Sequence, residues 1–129
     1  MHLLRSGFRA LLPLLMTLAI TSPTRAEVVP IDWDAAGRFQ HRQDIAPGKF
    51  GEVCGKLAKG QSVRWRFQAD APLNFNIHYH EGKAVKVPAK QDGVAEGSGK
   101  LGVEIRQDYC WMWVNKSGVV ISLQVQLSR

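Results

Sequence analysis

From Phe50 onward the chain alternates apolar and polar residues with a period of two. In QSVRWRFQA, Val63, Trp65 and Phe67 fall on one side, and Ser62, Arg64, Arg66 and Gln68 on the other. That is the pattern of a half-buried strand. LNFNIHYH sets Leu73, Phe75, Ile77 and Tyr79 against Asn74, Asn76, His78 and His80. VVISLQVQL sets Val119, Ile121, Leu123, Val125 and Leu127 against Ser122, Gln124 and Gln126. FGEVCGKL and SVRWRFQ flank the tight turn AKGQ and predict a hairpin. DAP predicts a break after the second of these strands, AVKVP a short strand ended by Pro88, and AKQDGVAEGSGK a loop. KLGVEIRQ and QDYCWMWVN predict two further strands. The whole pattern predicts about seven short strands and no long helix. The fold class is therefore all-β, a two-sheet antiparallel β-sandwich. Residues 27–48 carry no clear period: Pro30, Gly37, Pro47 and Gly48 punctuate them, and DWDAAGRFQHR fits a helical turn or an extended segment.

The first 26 residues change the picture. Arg5 and Arg9 precede the apolar run LLPLLMTLAI, and Thr24 lies two residues before Ala26. This predicts a secretory signal peptide over residues 1–26, cut before Glu27. The apolar run is shorter than the roughly 20 residues of a membrane span, so no transmembrane segment is expected after cleavage. The chain holds 17 Lys and Arg against 11 Asp and Glu, a formal net charge of +6. Arg5, Arg9 and Arg25 leave with the leader, which lowers the charge to +3. The remaining basic residues, among them Arg64, Arg66, Lys83, Lys86, Lys90 and Lys100, are scattered. No tight basic block marks a nucleic-acid binder.

Export also sets the reading of the two cysteines, Cys54 and Cys110. A lone pair in an exported protein predicts one disulfide. A loop of this length is stabilised by about 4 kcal/mol in chain-entropy terms. YCWMWVN is apolar on both faces, Tyr109, Trp111 and Trp113 alternating with Cys110, Met112 and Val114. Cys54 shares its face with Glu52 and Lys56, opposite Val53 and Leu57. The disulfide is thus predicted on the outer side of a sheet, with the three aromatics in the core. Met112 and Val114 then need cover. Residues 27–48, with Ile31, Trp33 and Phe39, are predicted to pack over them. The competing reading is an open apolar patch that grips a partner.

A cysteine ahead of KGQSVRWRF, a strand of alternating apolar and polar residues, and the final YCWMWVNKSGVVISLQVQL together resemble the GOLD (Golgi dynamics) domain of eukaryotic cargo receptors. The resemblance implies a jelly-roll-like β-sandwich over residues 49–129, with Cys54, Cys110, Trp111 and Asn115 at matching positions. It also implies binding of proteins or lipids rather than catalysis. The sequence shows no coiled coil, membrane span or cytoplasmic tail of the receptor kind, and its leader and length fit a small bacterial periplasmic version.

His78 and His80 share one strand face, about 7 Å apart, and imidazole is a ligand for zinc, copper and nickel. A zinc site wants at least three protein ligands. Glu81 follows at a strand end marked by Gly82, whereas His41 and Met112 can join only through tertiary packing. A cupin-type motif is excluded by Pro72 and by the position of Glu81. The plainer alternative is an exposed polar face made of Asn74, Asn76, His78 and His80. No G-x-S-x-G serine or phosphate-cradling glycine loop is present. The sequence therefore reads as an exported, periplasmic, non-enzymatic module for a protein or lipid ligand. Its ligand surface is expected at His78, His80, Glu81 and Met112, with no resident cofactor. The alternative is a periplasmic metal-binding protein in which His78 and His80 take zinc or copper. A third reading, a small hydrolase or isomerase, would use one of the two histidines as general base.

Overall fold

The computed structural model describes residues 27–129, together with positions 18 and 19. The leader expected over residues 1–26 otherwise lies outside the described residues. Seven strands follow one another: β1 (Glu27–Pro30), β2 (Arg38–Ile45), β3 (Phe50–Leu57), β4 (Ser62–Glu81), β5 (Ala84–Gly102), β6 (Gln107–Val114) and β7 (Ile121–Ser128). Among the described residues there is no helix, and thus none long and apolar enough to cross a membrane. The all-β class and the Cys54–Cys110 disulfide, 56 residues apart in sequence, agree with the sequence reading.

The architecture differs from a two-sheet sandwich. All seven strands belong to one sheet in the order β1-β3-β6-β4-β7-β2, with β5 alongside β4, and the sheet curls into a half-barrel. The cause is the length of β4. It spans 20 residues, and DAP does not end it. Its first part, Arg64 to Ala69, pairs with β7, and its second part, Asn74 to His78, pairs with β6. The change of partner falls at Asp70–Pro72, where the register with β5 also shifts. A proline is tolerated there because it has no N–H to offer a ladder. The carboxylate of Asp70 accepts the Ser122 N–H at 2.9 Å beside the same junction.

Two further segments depart from expectation. Residues 84–102 form the single strand β5, not a short strand and a loop. Gly97 and Gly99 face Phe67 and Trp65 across the ladder, and a Cβ on either glycine would meet those rings at 2.7 and 2.6 Å. The aromatic side chains of β4 thus lie over the bare backbone of β5, which lets a glycine-rich segment stay in the sheet. The AKGQ turn exists, with Gly60 at φ +88°. It does not close a hairpin, since β3 pairs with β1 and β6, and β4 with β5, β6 and β7. The turn instead carries the chain across the curl.

The inner face is continuous: Val53, Leu57, Val63, Trp65, Phe67, Leu73, Phe75, Ile77, Tyr109, Trp111, Trp113 and the inward side of β7 are buried together. Residues 27–45, expected with 46–48 to pack over Met112 and Val114, enter the sheet itself. They supply two edge strands, β1 parallel to β3 and β2 antiparallel to β7. Phe39 enters the core, and Ile31 and Trp33 lean against it. Edge pairing gives one row of their backbone groups a ladder partner while their apolar side chains still reach the core. Val119 is 60 % exposed and precedes β7, so the inward series of that strand starts at Ile121.

Candidate functional site

The curl gives the sheet two outer faces. On the disulfide side, β3, β6 and the second part of β4 place Cys54, Cys110 and His78 in one row by register. The next row holds Glu52, Met112 and Asn76. His78 is buried, with its Nε2 3.3 Å from a Glu52 carboxylate oxygen and its Nδ1 2.8 Å from Asn76 Oδ1. Burial holds the His78 imidazole below its usual pKa of 6.5, outweighing the opposite pull of Glu52, and His80 lowers it further. The same Glu52 oxygen lies 3.5 Å from Cys54 Sγ.

The histidine pair of the sequence therefore separates into unlike members. His80 and Glu81 are exposed near the end of the β4–β5 hairpin, whereas His78 is enclosed, although the two rings still meet edge to face at 5.4 Å between centroids. Met112 is half-buried one row away, and His41 lies on the inner side of β2, with its Nε2 3.2 Å from Gln43 Oε1. Ligand atoms of Glu52, His78 and Cys110 lie within 4.8 Å of one another, but the Cys110 sulfur is bonded to Cys54. Glu52 and Asn76 went unremarked as partners of His78, and only the strand register brings them together. Met112 and Val114, the place of the competing open-patch reading, are both half-buried. The exposed large apolar side chains among the described residues include Val85, Val87, Ile105, Val119 and Val120.

The other outer face belongs to β2, β7 and the first part of β4, with β5 at its edge. Register sets Arg38, Ser128, Arg64 and Lys100 in one row. Gln40, Gln126, Arg66 and Ser98 form the next, and Arg42, Gln124, Gln68 and Glu96 the third. These side chains are exposed, apart from half-buried Ser128. Among the described residues, the only ion pair made by these cations joins Arg38 to Asp34 at 3.9 Å. Arg38, Arg42, Arg64, Arg66 and Lys100, scattered in the sequence, are thus gathered on one face, with Glu96 at its edge, whereas Lys86 and Lys90 lie opposite Tyr79 and Asn76. Open hollows of about 150 and 320 Å³ lie between the rows, lined by Arg66, Gln68 and Gln124 and by Gln40, Arg42 and Gln126.

No protein-family model and no curated protein matches the chain. Solved structures do resemble it. PliG of Aeromonas hydrophila, a periplasmic inhibitor of g-type lysozyme, aligns with a TM-score of 0.57 at 15% identity, covering 81% of this chain and 98% of that one. PliG of Salmonella Typhimurium aligns with a TM-score of 0.54 at 9% identity, covering 79% and 96%. The pre-peptidase C-terminal domain of a Bacillus anthracis collagenase aligns with a TM-score of 0.58 at 8% identity, covering 83% and 100%. The shared feature is the fold of a small β-domain.

Proposed function

We propose that the chain is an exported, periplasmic, non-enzymatic module that binds an acidic surface of a partner protein through the arginine and glutamine face. The observation that carries this reading is the three-row grid of Arg38, Arg42, Arg64, Arg66 and Lys100 with Gln40, Gln68, Gln124 and Gln126. Arginine and glutamine on rigid strands offer many donors at fixed spacing, which suits recognition of carboxylates. The hollows are open and small, a shape that fits protruding side chains better than an enclosed small molecule. The fold shared with two lysozyme inhibitors supports a protein ligand and names the first one to try. His80 and Glu81, exposed at the hairpin end of the disulfide half, are the second surface to probe.

Two measurements on the purified mature chain test this. Retention on immobilised poly-glutamate should fall steeply with salt and drop at least tenfold in Arg64→Gln/Arg66→Gln. Equal retention of variant and wild type would remove the face from the reading. Inhibition of a g-type lysozyme, lost in the same variant, would identify the partner class. Retention without inhibition would keep the acidic surface and discard that enzyme.

A further inference from the structure

Beneath the outer surface of the other half, four metal-ligating side chains meet where the sequence offered two. Glu52 Oε1 lies 3.3 Å from His78 Nε2 and 3.5 Å from Cys54 Sγ, and Cys110 Sγ completes the cluster. Zinc bonds of about 2.0 Å to nitrogen or oxygen and about 2.3 Å to sulfur place tetrahedral donors about 3.3 to 3.8 Å apart. The spacings from Glu52 to His78 and Cys54 already fall in that range. Cys110 Sγ lies within 4.8 Å of the Glu52 and His78 ligand atoms and has to move once the bond between the sulfurs is broken.

The orientation of His78 adds a second argument. Its Nδ1 faces the Asn76 carbonyl oxygen at 2.8 Å, so Nδ1–H donates there. The neutral ring then presents a bare lone pair at Nε2 to a carboxylate oxygen. A proton on Nε2 closes this gap as an imidazolium–carboxylate pair, and a cation bound between the two atoms can take that proton's place. A ring nitrogen fixed by a carbonyl acceptor on its far side is also how metal-bound histidines are commonly held.

We propose that reducing the Cys54–Cys110 bridge creates a site for one divalent cation of the zinc class, held by Cys54, Cys110, His78 and Glu52. A dithiol reductant supplies two electrons and two protons. The S–S bond breaks, two S–H bonds form, and the reductant closes to its own disulfide. Each thiol then releases its proton as the cation binds. His80, exposed and outside this cluster, is not a ligand. The site is independent of the arginine face and neither needs nor supports the reading given above.

The test is a cobalt titration of the full mature chain, reduced with a phosphine because free dithiols compete for the metal. The reduced wild type should take up one Co²⁺ per chain with a thiolate-to-cobalt absorption band that Zn²⁺ abolishes, and the oxidised chain should show no such band. His78→Ala and Glu52→Gln should each weaken binding at least tenfold, Asn76→Ala by 10- to 100-fold, and His80→Ala should leave it unchanged. If reduction unfolds the chain, added Zn²⁺ should restore the β-sheet circular dichroism. The proposal is overturned if reduced, folded chain binds no Co²⁺, if Zn²⁺ fails to refold an unfolded one, or if His78→Ala binds as wild type does.

Discussion

The two halves of the curled sheet solve the same problem differently. In the arginine half, alternation is strict from Ser62 to Gln68 on β4 and from Ile121 to Leu127 on β7: every other side chain is buried, and those between are exposed. In the disulfide half, β6 buries both faces at its centre, with Cys110 and Trp111 adjacent and both enclosed. The first half leaves its outer face to water and to charge. The second half encloses polar groups there: His78 hydrogen-bonds to Asn76 and sets its other ring nitrogen 3.3 Å from the Glu52 carboxylate. An outer face that meets water can hold unpaired cations at little cost, whereas one that excludes water must pair what it holds.

That contrast can be broken at several strengths. The largest effect is expected at Trp111, fully buried in the disulfide half: Trp111→Ala should lower stability by about 3 to 5 kcal/mol in denaturant melts. Asn115 ties the halves together. Its side-chain amide donates to Ile45 O at 2.9 Å and Val119 O at 2.7 Å, and its carbonyl oxygen accepts from Ser117. Asn115→Ala strands the buried Ile45 carbonyl and should remove about 1 to 3 kcal/mol.

A smaller effect comes from pH. The folded chain holds the His78 pKa below 6.5, so the unfolded chain binds the proton more readily. The associated stability is full above about pH 6.5 and is lost as pH falls through the lowered value. Melts of the oxidised chain from about pH 7.5 to about pH 5 should show a decline that His78→Gln reduces. A decline of equal size in the variant would place its origin elsewhere. The smallest effect belongs to the arginine half: Arg64→Gln/Arg66→Gln should change stability by less than about 0.5 kcal/mol while altering poly-glutamate retention.

The legible parts of the sequence were those with one wet face. Val63, Trp65 and Phe67, and likewise Leu123, Val125 and Leu127, were assigned to the core by period alone, and they are buried. The outward direction of Cys54 and Cys110 followed from Glu52 and Lys56 on the same face. The length of β4 was hidden because DAP has the composition of a break, yet the strand needs no ladder partner there. β5 was hidden because Gly97 and Gly99 carry no pattern, and their place in the sheet depends on rings from β4. β2 was hidden for a different reason. Its inward series includes half-buried His41 and Gln43, and Gln43 occupies the space above Gly51 where a side chain would otherwise stand. The basic face and the cluster around His78 depend on which strands are neighbours, and period does not encode that order.

The partner change along β4 bears on how the molecule comes apart. One uninterrupted strand hydrogen-bonds to β7 over its first part and to β6 over its second, so removing β4 from the sheet breaks the ladders of both halves together. Amide protons of Arg64–Ala69 and Asn74–His78 are expected to follow that one opening event and report one protection free energy. The outermost strand β1, attached to β3 alone over Glu27–Pro30, can fray without that event. Deuterium uptake would then begin at β1 and come last at the doubly paired segments of β4, Arg64–Ala69 and Asn74–His78.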